Sequence, residues 1–198
     1  MKRILLLAIV LMSCIGIMQA SQTGNWKAYM AYSDVQDVEQ GSGNIIYVLA
    51  SNNIYSYNTA DQSILTYDKT NGLSDCNILH ISYNKSAKRL VIVYSNQNID
   101  LMDDKGNVVN ISDYYNSSIT LDKNINDIYQ SLGYAYLSTG FGIVKLNVAN
   151  AEISDTYNLG FKVDYSYLDS EYIYAASSVN GIYRALATSN LLDKNNWK

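Results

Sequence analysis

Of 198 residues, 48% are hydrophobic and 16% charged, which excludes a disordered chain or a charged tail. The net charge is −4, and −6 once an N-terminal segment carrying Lys2 and Arg3 is removed, which argues against nucleic acid and anionic membrane surfaces as partners. One His, two Cys and no Pro leave little material for metal or nucleophile chemistry and imply no cofactor, whereas 19 Tyr against two Phe and two Trp suit half-wet strands.

The first predicted element is an export signal over residues 1–20. Met1, Lys2 and Arg3 form a basic start, and Ile4 to Met18 is an apolar run of 15 residues. That is short of the ~20 needed to span a bilayer, and it fits the hydrophobic region of a secretory signal with cleavage after Ala20. No transmembrane span is then left in the mature chain, which is expected in the periplasm or on the outer cell surface. A rival reading takes Leu11, Met12, Ser13 and Cys14 as a lipoprotein box, but apolar residues continue through Ile15, Ile17 and Met18. With the signal cleaved, Cys76 is the only cysteine, so no internal disulfide forms. It is expected to be a small buried or half-buried residue.

Trp26, Ala28, Met30 and Tyr32 alternate on one face and read as an orphan strand preceding the first repeat. From there the chain repeats itself. Ile45–Tyr55 aligns with Leu90–Ile99, Tyr134–Ile143 and Tyr172–Ile182, and the shared Ile falls at 54, 99, 143 and 182, with spacings of 45, 44 and 39. Such a period belongs to propeller blades of four short strands. The four repeats run over about 35–70, 78–113, 125–158 and 163–198. Each opens with an inner strand (Val35–Val38, Ile78–Tyr83, Ile125–Tyr129, Val163–Tyr167), followed by the apolar strand quoted above, a Ser/Asn/Gly hairpin and the strand holding the anchor Ile. Fourth strands follow at Ile64–Tyr67, Val108–Ile111 and Glu152–Tyr157. Turn residues at Asp103 to Asn107 and at Asn180-Gly181 tolerate positive φ. Helix is expected to be nearly absent. Trp197, within an Asn-Trp-Lys that also occurs at residues 25–27, marks the start of a fourth strand in the last repeat. The fold class is therefore all-β: a β-propeller domain over 21–198.

Asn71-Gly72-Leu73-Ser74-Asp75, Lys123 to Tyr129, Thr139 to Val144 and Ile153 to Gly160 resemble the N-terminal propeller of the PorZ family of type IX secretion in Bacteroidetes. The Gly-Leu-Ser-Asp link is also similar to periplasmic propellers of two-component regulators. The PorZ resemblance implies a seven-bladed propeller, of which four blades would be an N-terminal fragment. It also implies non-enzymatic work at the cell envelope: assembly with proteins of a secretion or sortase complex, or binding of a glycan such as lipopolysaccharide. The regulator resemblance implies ligand sensing instead. Closure of the four repeats into a four-bladed ring stays open as the alternative to a fragment. An open arc would bare one face each of repeats one and four, with apolar residues such as Ile46 and Ile173 or their neighbours, and so drive aggregation or partner binding.

Asp37, His80, Asp127 and Tyr165 occupy the same aligned position on the inner strands and are the candidate ligand-binding residues. A His between two carboxylates can bind a metal or act as acid and base. Their other role is as hydrogen-bond anchors between blades, which recurrence in every repeat favours. No catalytic residue and no metal site is expected.

Overall fold

The computed structural model describes residues 29–198. Short runs rich in Val, Ile, Leu and Tyr, cut by Asn, Gly and Asp turns, form fifteen strands in four antiparallel sheets. Blade 1 comprises β1 (Val35–Gln40), β2 (Ile45–Ala50), β3 (Asn53–Asn58) and β4 (Ile64–Tyr67). Blade 2 comprises β5 (Ile78–Asn84), β6 (Arg89–Tyr94), β7 (Ile99–Asp103) and β8 (Val108–Ile111). A single helical turn, α1 (Asp113–Asn116), precedes blade 3: β9 (Ile125–Ser131), β10 (Tyr134–Thr139), β11 (Gly142–Asn147) and β12 (Glu152–Asn158). Blade 4 comprises β13 (Tyr165–Leu168), β14 (Tyr172–Ser177) and β15 (Gly181–Leu186), followed by a 3-10 turn at Lys194–Asn196. Every strand pairs with its neighbour in sequence, so each blade is an up-and-down meander.

The inner strands pack in chain order, β1 on β5, β5 on β9 and β9 on β13; among the described residues no packing of that extent joins β13 back to β1. Three apolar cores fill the three gaps between the four blades. Leu49, Ile54 and Tyr47 meet Ile81, Leu90 and Ile92 in the first; Val91, Ile99 and Leu101 meet Leu137, Val144 and Leu146 in the second. Tyr136, Ile143 and Tyr157 meet Ile173, Ala175 and Ala185 in the third. The chain is a partial β-propeller. Ile54, Ile99 and Ile143 are each 0% exposed between blades, whereas Ile182, on the face of blade 4 that none of the described blades covers, is 73% exposed. Ile173 is buried, contrary to its expected place on that bare face, because odd-numbered residues of β14 point back to blade 3. Ile46 is half-buried.

Hydrogen bonds from backbone N–H groups lock each blade to the next. The hairpin joining the second and third strands offers an acceptor to the first residue of the next inner segment: Ile78 N–H donates to Asn52 O (3.0 Å), and Val163 N–H to Thr139 O (2.9 Å). Between blades 2 and 3 the Gln97 side chain supplies the acceptor, Oε1, to Ile125 N–H at 2.9 Å. Asn52 and Gln97 hold φ of 59° and 71° to make these turns. Gly142 has φ 155°, and a Cβ there would strike the Tyr157 carbonyl, so this position requires glycine.

Two further expectations change. Residues 29–33 form no strand: Tyr32 lies edge-on to Tyr55 at 5.4 Å, and Ala31 O accepts from Asn53 Nδ2, so the segment covers part of blade 1. Trp26, Ala28 and the export signal lie outside the described residues. Cys76 is exposed. It sits in the link between blades, where Leu73 takes the inward position. No helix among the described residues is long and apolar enough to cross a membrane.

Candidate functional site

Asp37, His80, Asp127 and Tyr165 occupy one register. They stand opposite Leu49, Val93, Ser138 and Ala176, which in turn pair with the anchor residues Ile54, Ile99, Ile143 and Ile182. In blades 1 to 3 a bulge sets the position: Gln36, Leu79 and Asn126 are each an extra residue that shifts the register just before it. A bulge re-aims the side chain that follows, here toward the next blade.

His80 Nε2–H donates to Ile125 O of blade 3 at 3.1 Å, which places the ring proton on that nitrogen. Asp37 accepts from its own neighbour, Val38 N–H, at 2.7 Å. Burial raises the Asp127 carboxyl above its ordinary range, the Ile128 N–H and His80 lower it, and Asp37 raises it again. Asp37 and His80 are thus each within electrostatic reach of Asp127 at the inner ends of blades 1 to 3. Tyr165 stands apart on the bare face of blade 4, 65% exposed. Sequence reasoning missed Glu39, two residues along the same face of β1. Burial raises its carboxyl, the Tyr83 amide lowers it, Asp37 raises it, and Ser82 and Lys85 lower it again. Its spacing from Asp37 was the available signal. Among the described residues no group of three His, Cys, Asp or Glu is placed to hold a metal.

The Gly-Leu-Ser-Asp link has a buried counterpart that was also missed. Asp100 is fully buried and accepts from Ser74 N–H (2.8 Å), Tyr94 O–H (2.5 Å) and Asn110 Nδ2 (2.8 Å). Burial, then this bond to Asp100, pushes the Tyr94 hydroxyl far above its ordinary range. Asp75 completes the link by accepting from Cys76 N–H and Asn96 Nδ2. The motif therefore fixes blade 1 to blade 2.

The uncovered face of blade 4 carries a second row of aligned residues, Tyr167, Tyr174 and Arg184, with Arg184 exchanging both backbone hydrogen bonds with Lys198 (2.8 and 2.9 Å). Lys198 thus lies beside β15 at the position that fourth strands hold in the other blades. The Arg184 guanidinium lies 4.5 Å from the centre of the Tyr172 ring, and Tyr174 O–H donates to Asp169 at 2.8 Å.

The family described as TSS9, PorZ, N-terminal beta-propeller domain matches residues 46–198. Among solved structures, PorZ of Porphyromonas gingivalis, an essential bacterial surface component of the type-IX secretion system, is similar at 29% identity and TM-score 0.80 over 88% of this chain and 23% of that one. The extracellular domain of the putative one component system BT4673 from B. thetaiotaomicron shares the fold at 16% identity and TM-score 0.63, over 84% of this chain and 22% of that one. Apo AztD from Citrobacter koseri does so at 14% identity and TM-score 0.59, over 84% and 47%. No curated protein matches. The chain thus spans under a quarter of PorZ's length. The blade repeat, the linking motif and the match over residues 46–198 agree: the chain belongs to the PorZ N-terminal β-propeller domain family of type IX secretion.

Proposed function

We propose that the chain works by binding, as an exported assembly module of a type IX secretion complex at the cell envelope, and carries out no reaction. Supporting this is the commitment of its one histidine: His80 Nε2 is engaged with the Ile125 carbonyl, so the group best suited to acid–base work serves instead to join blades 2 and 3. Asp37 and Asp127 likewise bond the backbone of the residue that follows each of them. The likeness to BT4673 at 16% identity supports the shared fold and adds nothing for sensing.

Complementation of a deletion strain with His80→Ala tests the reading. Expected are normal levels of cargo proteins on the cell surface and unchanged association with envelope proteins, alongside lowered thermal stability. Failure of secretion by a variant that is folded and present at normal abundance would show a chemical or ligand-binding role for His80.

A further inference from the structure

Asn71 and Gly72 open the motif that links blade 1 to blade 2, and the turn needs both of them. Gly72 holds φ at 129°, a backbone conformation that any other residue adopts only with strain. Asn71 commits both ends of its side-chain amide to backbone: Oδ1 accepts from Asp68 N–H at 2.7 Å, and Nδ2 donates to Thr66 O at 2.7 Å. Its own N–H and that of Leu73 both donate to Asp68 O at 3.1 Å. The amide thus ties the chain leaving β4 back onto that strand. From there Leu73 enters the first core, and Ser74 N–H reaches the buried Asp100 carboxylate at 2.8 Å.

An asparagine followed by glycine is chemically labile, because no side chain on the glycine hinders approach of its nitrogen to the asparagine side chain. The Gly72 nitrogen would attack Asn71 Cγ and give its proton to water. The bond from Cγ to the side-chain nitrogen then breaks and ammonia leaves, closing a cyclic imide. Water opens either imide carbonyl, giving aspartate or an isoaspartate whose main chain runs through the side chain. The net change is one water taken up, one ammonia released and one negative charge gained. In the folded chain two short bonds hold the amide against Thr66 and Asp68, and the nitrogen that must leave is the donor to Thr66 O. The product cannot remake this turn. A carboxylate keeps an acceptor for Asp68 N–H but has no donor for Thr66 O, and it sets a charged oxygen against that carbonyl. Isoaspartate also lengthens the main chain between Asp68 and Leu73.

We infer that Asn71 is a guarded modification site: it resists deamidation while the link is folded, reacts with water when the link opens, and as aspartate or isoaspartate leaves the joint between blades 1 and 2 irreversibly loosened. The turn therefore retains a labile pair because its geometry requires both members, and the hydrogen bonds that need the pair are the ones that protect it.

The test holds the protein at neutral pH, once folded and once in urea that unfolds it, and follows Asn71 by mass spectrometry of the tryptic peptide from Thr70 to Lys85. Conversion is expected to be at least about tenfold slower in the folded protein, because only molecules with an open link react. Equal rates in the two states would overturn the inference. A second measurement is amide exchange in Asn71→Asp, which is the aspartate product. Ser74 N–H should exchange at least about tenfold faster than in the parent, while Leu137 N–H, in the gap between blades 2 and 3, keeps the parent's protection. Unchanged exchange at Ser74 overturns the loosening of the joint, and loss of protection at both positions overturns its confinement to that joint. Neither measurement involves a partner, so the outcome bears on the link and not on the assembly reading.

Discussion

His80 shows how a residue with chemical potential can be absorbed by architecture. Its bond to the Ile125 carbonyl spans two inner strands, so His80→Ala should lower stability by about 1 kcal/mol, read as a shifted urea midpoint with an unchanged slope. Asp127 behaves differently because burial raises its carboxyl. A raised carboxylate means that the folded state holds the proton more tightly than the unfolded chain does. The charging penalty is therefore absent at low pH and grows as pH rises through the ordinary carboxylate range and beyond. Asp127→Asn keeps an acceptor for Ile128 N–H, so it should melt higher than the parent at pH 7 and lose that advantage below the carboxylate range. A melting series against pH measures the crossover. A gain that persists undiminished in acid would mean that packing, and not ionisation, is responsible.

The blade boundaries were readable because strand, hairpin and anchor Ile recur with nearly constant spacing, and each anchor in blades 1 to 3 is buried in the gap to the next blade. The bulges at Gln36, Leu79 and Asn126 were not readable, since one extra residue leaves the apolar alternation nearly intact yet decides where Asp37, His80 and Asp127 point. Asp100 was hidden for another reason. A charge in an apolar strand reads as a solvent-facing position, and only the arrival of Ser74 and Tyr94 from elsewhere in the chain makes it a buried acceptor. Exposure of Cys76 likewise depends on how the link runs outside the core. At this scale two substitutions are decisive. Asp100→Ala strands two donors in the blade 1–2 gap, Ser74 N–H and Tyr94 O–H, while Asn110 Nδ2 keeps Asn98 Oδ1 and Ile99 O, and should cost about 3 kcal/mol. Gly142→Ala drives a Cβ into the Tyr157 carbonyl at positive φ. It should lower the melting temperature by roughly 10 °C, as a loss of about 3 kcal/mol does in a domain of this size.

Among the described residues, blades 2 and 3 are covered by a neighbouring blade on both faces and blades 1 and 4 on one. Amide exchange should follow that order: slowest in β6, β7, β10 and β11, and fastest in β14 and β15, where opening disturbs a single gap. Uniform protection across the four sheets would show that the arc opens only as a unit. The N–H groups of Ile78, Ile125 and Val163 donate to the preceding blade's hairpin at equivalent places, to the Asn52 and Thr139 carbonyls and to the Gln97 side chain, always joining one blade to its successor. Such a joint fixes the rotation from one module to the next. In a ring that rotation and the number of modules determine each other, so duplication or loss of a whole repeat cannot leave every surviving joint unchanged, and a change of copy number must be matched by a change of angle at the joints.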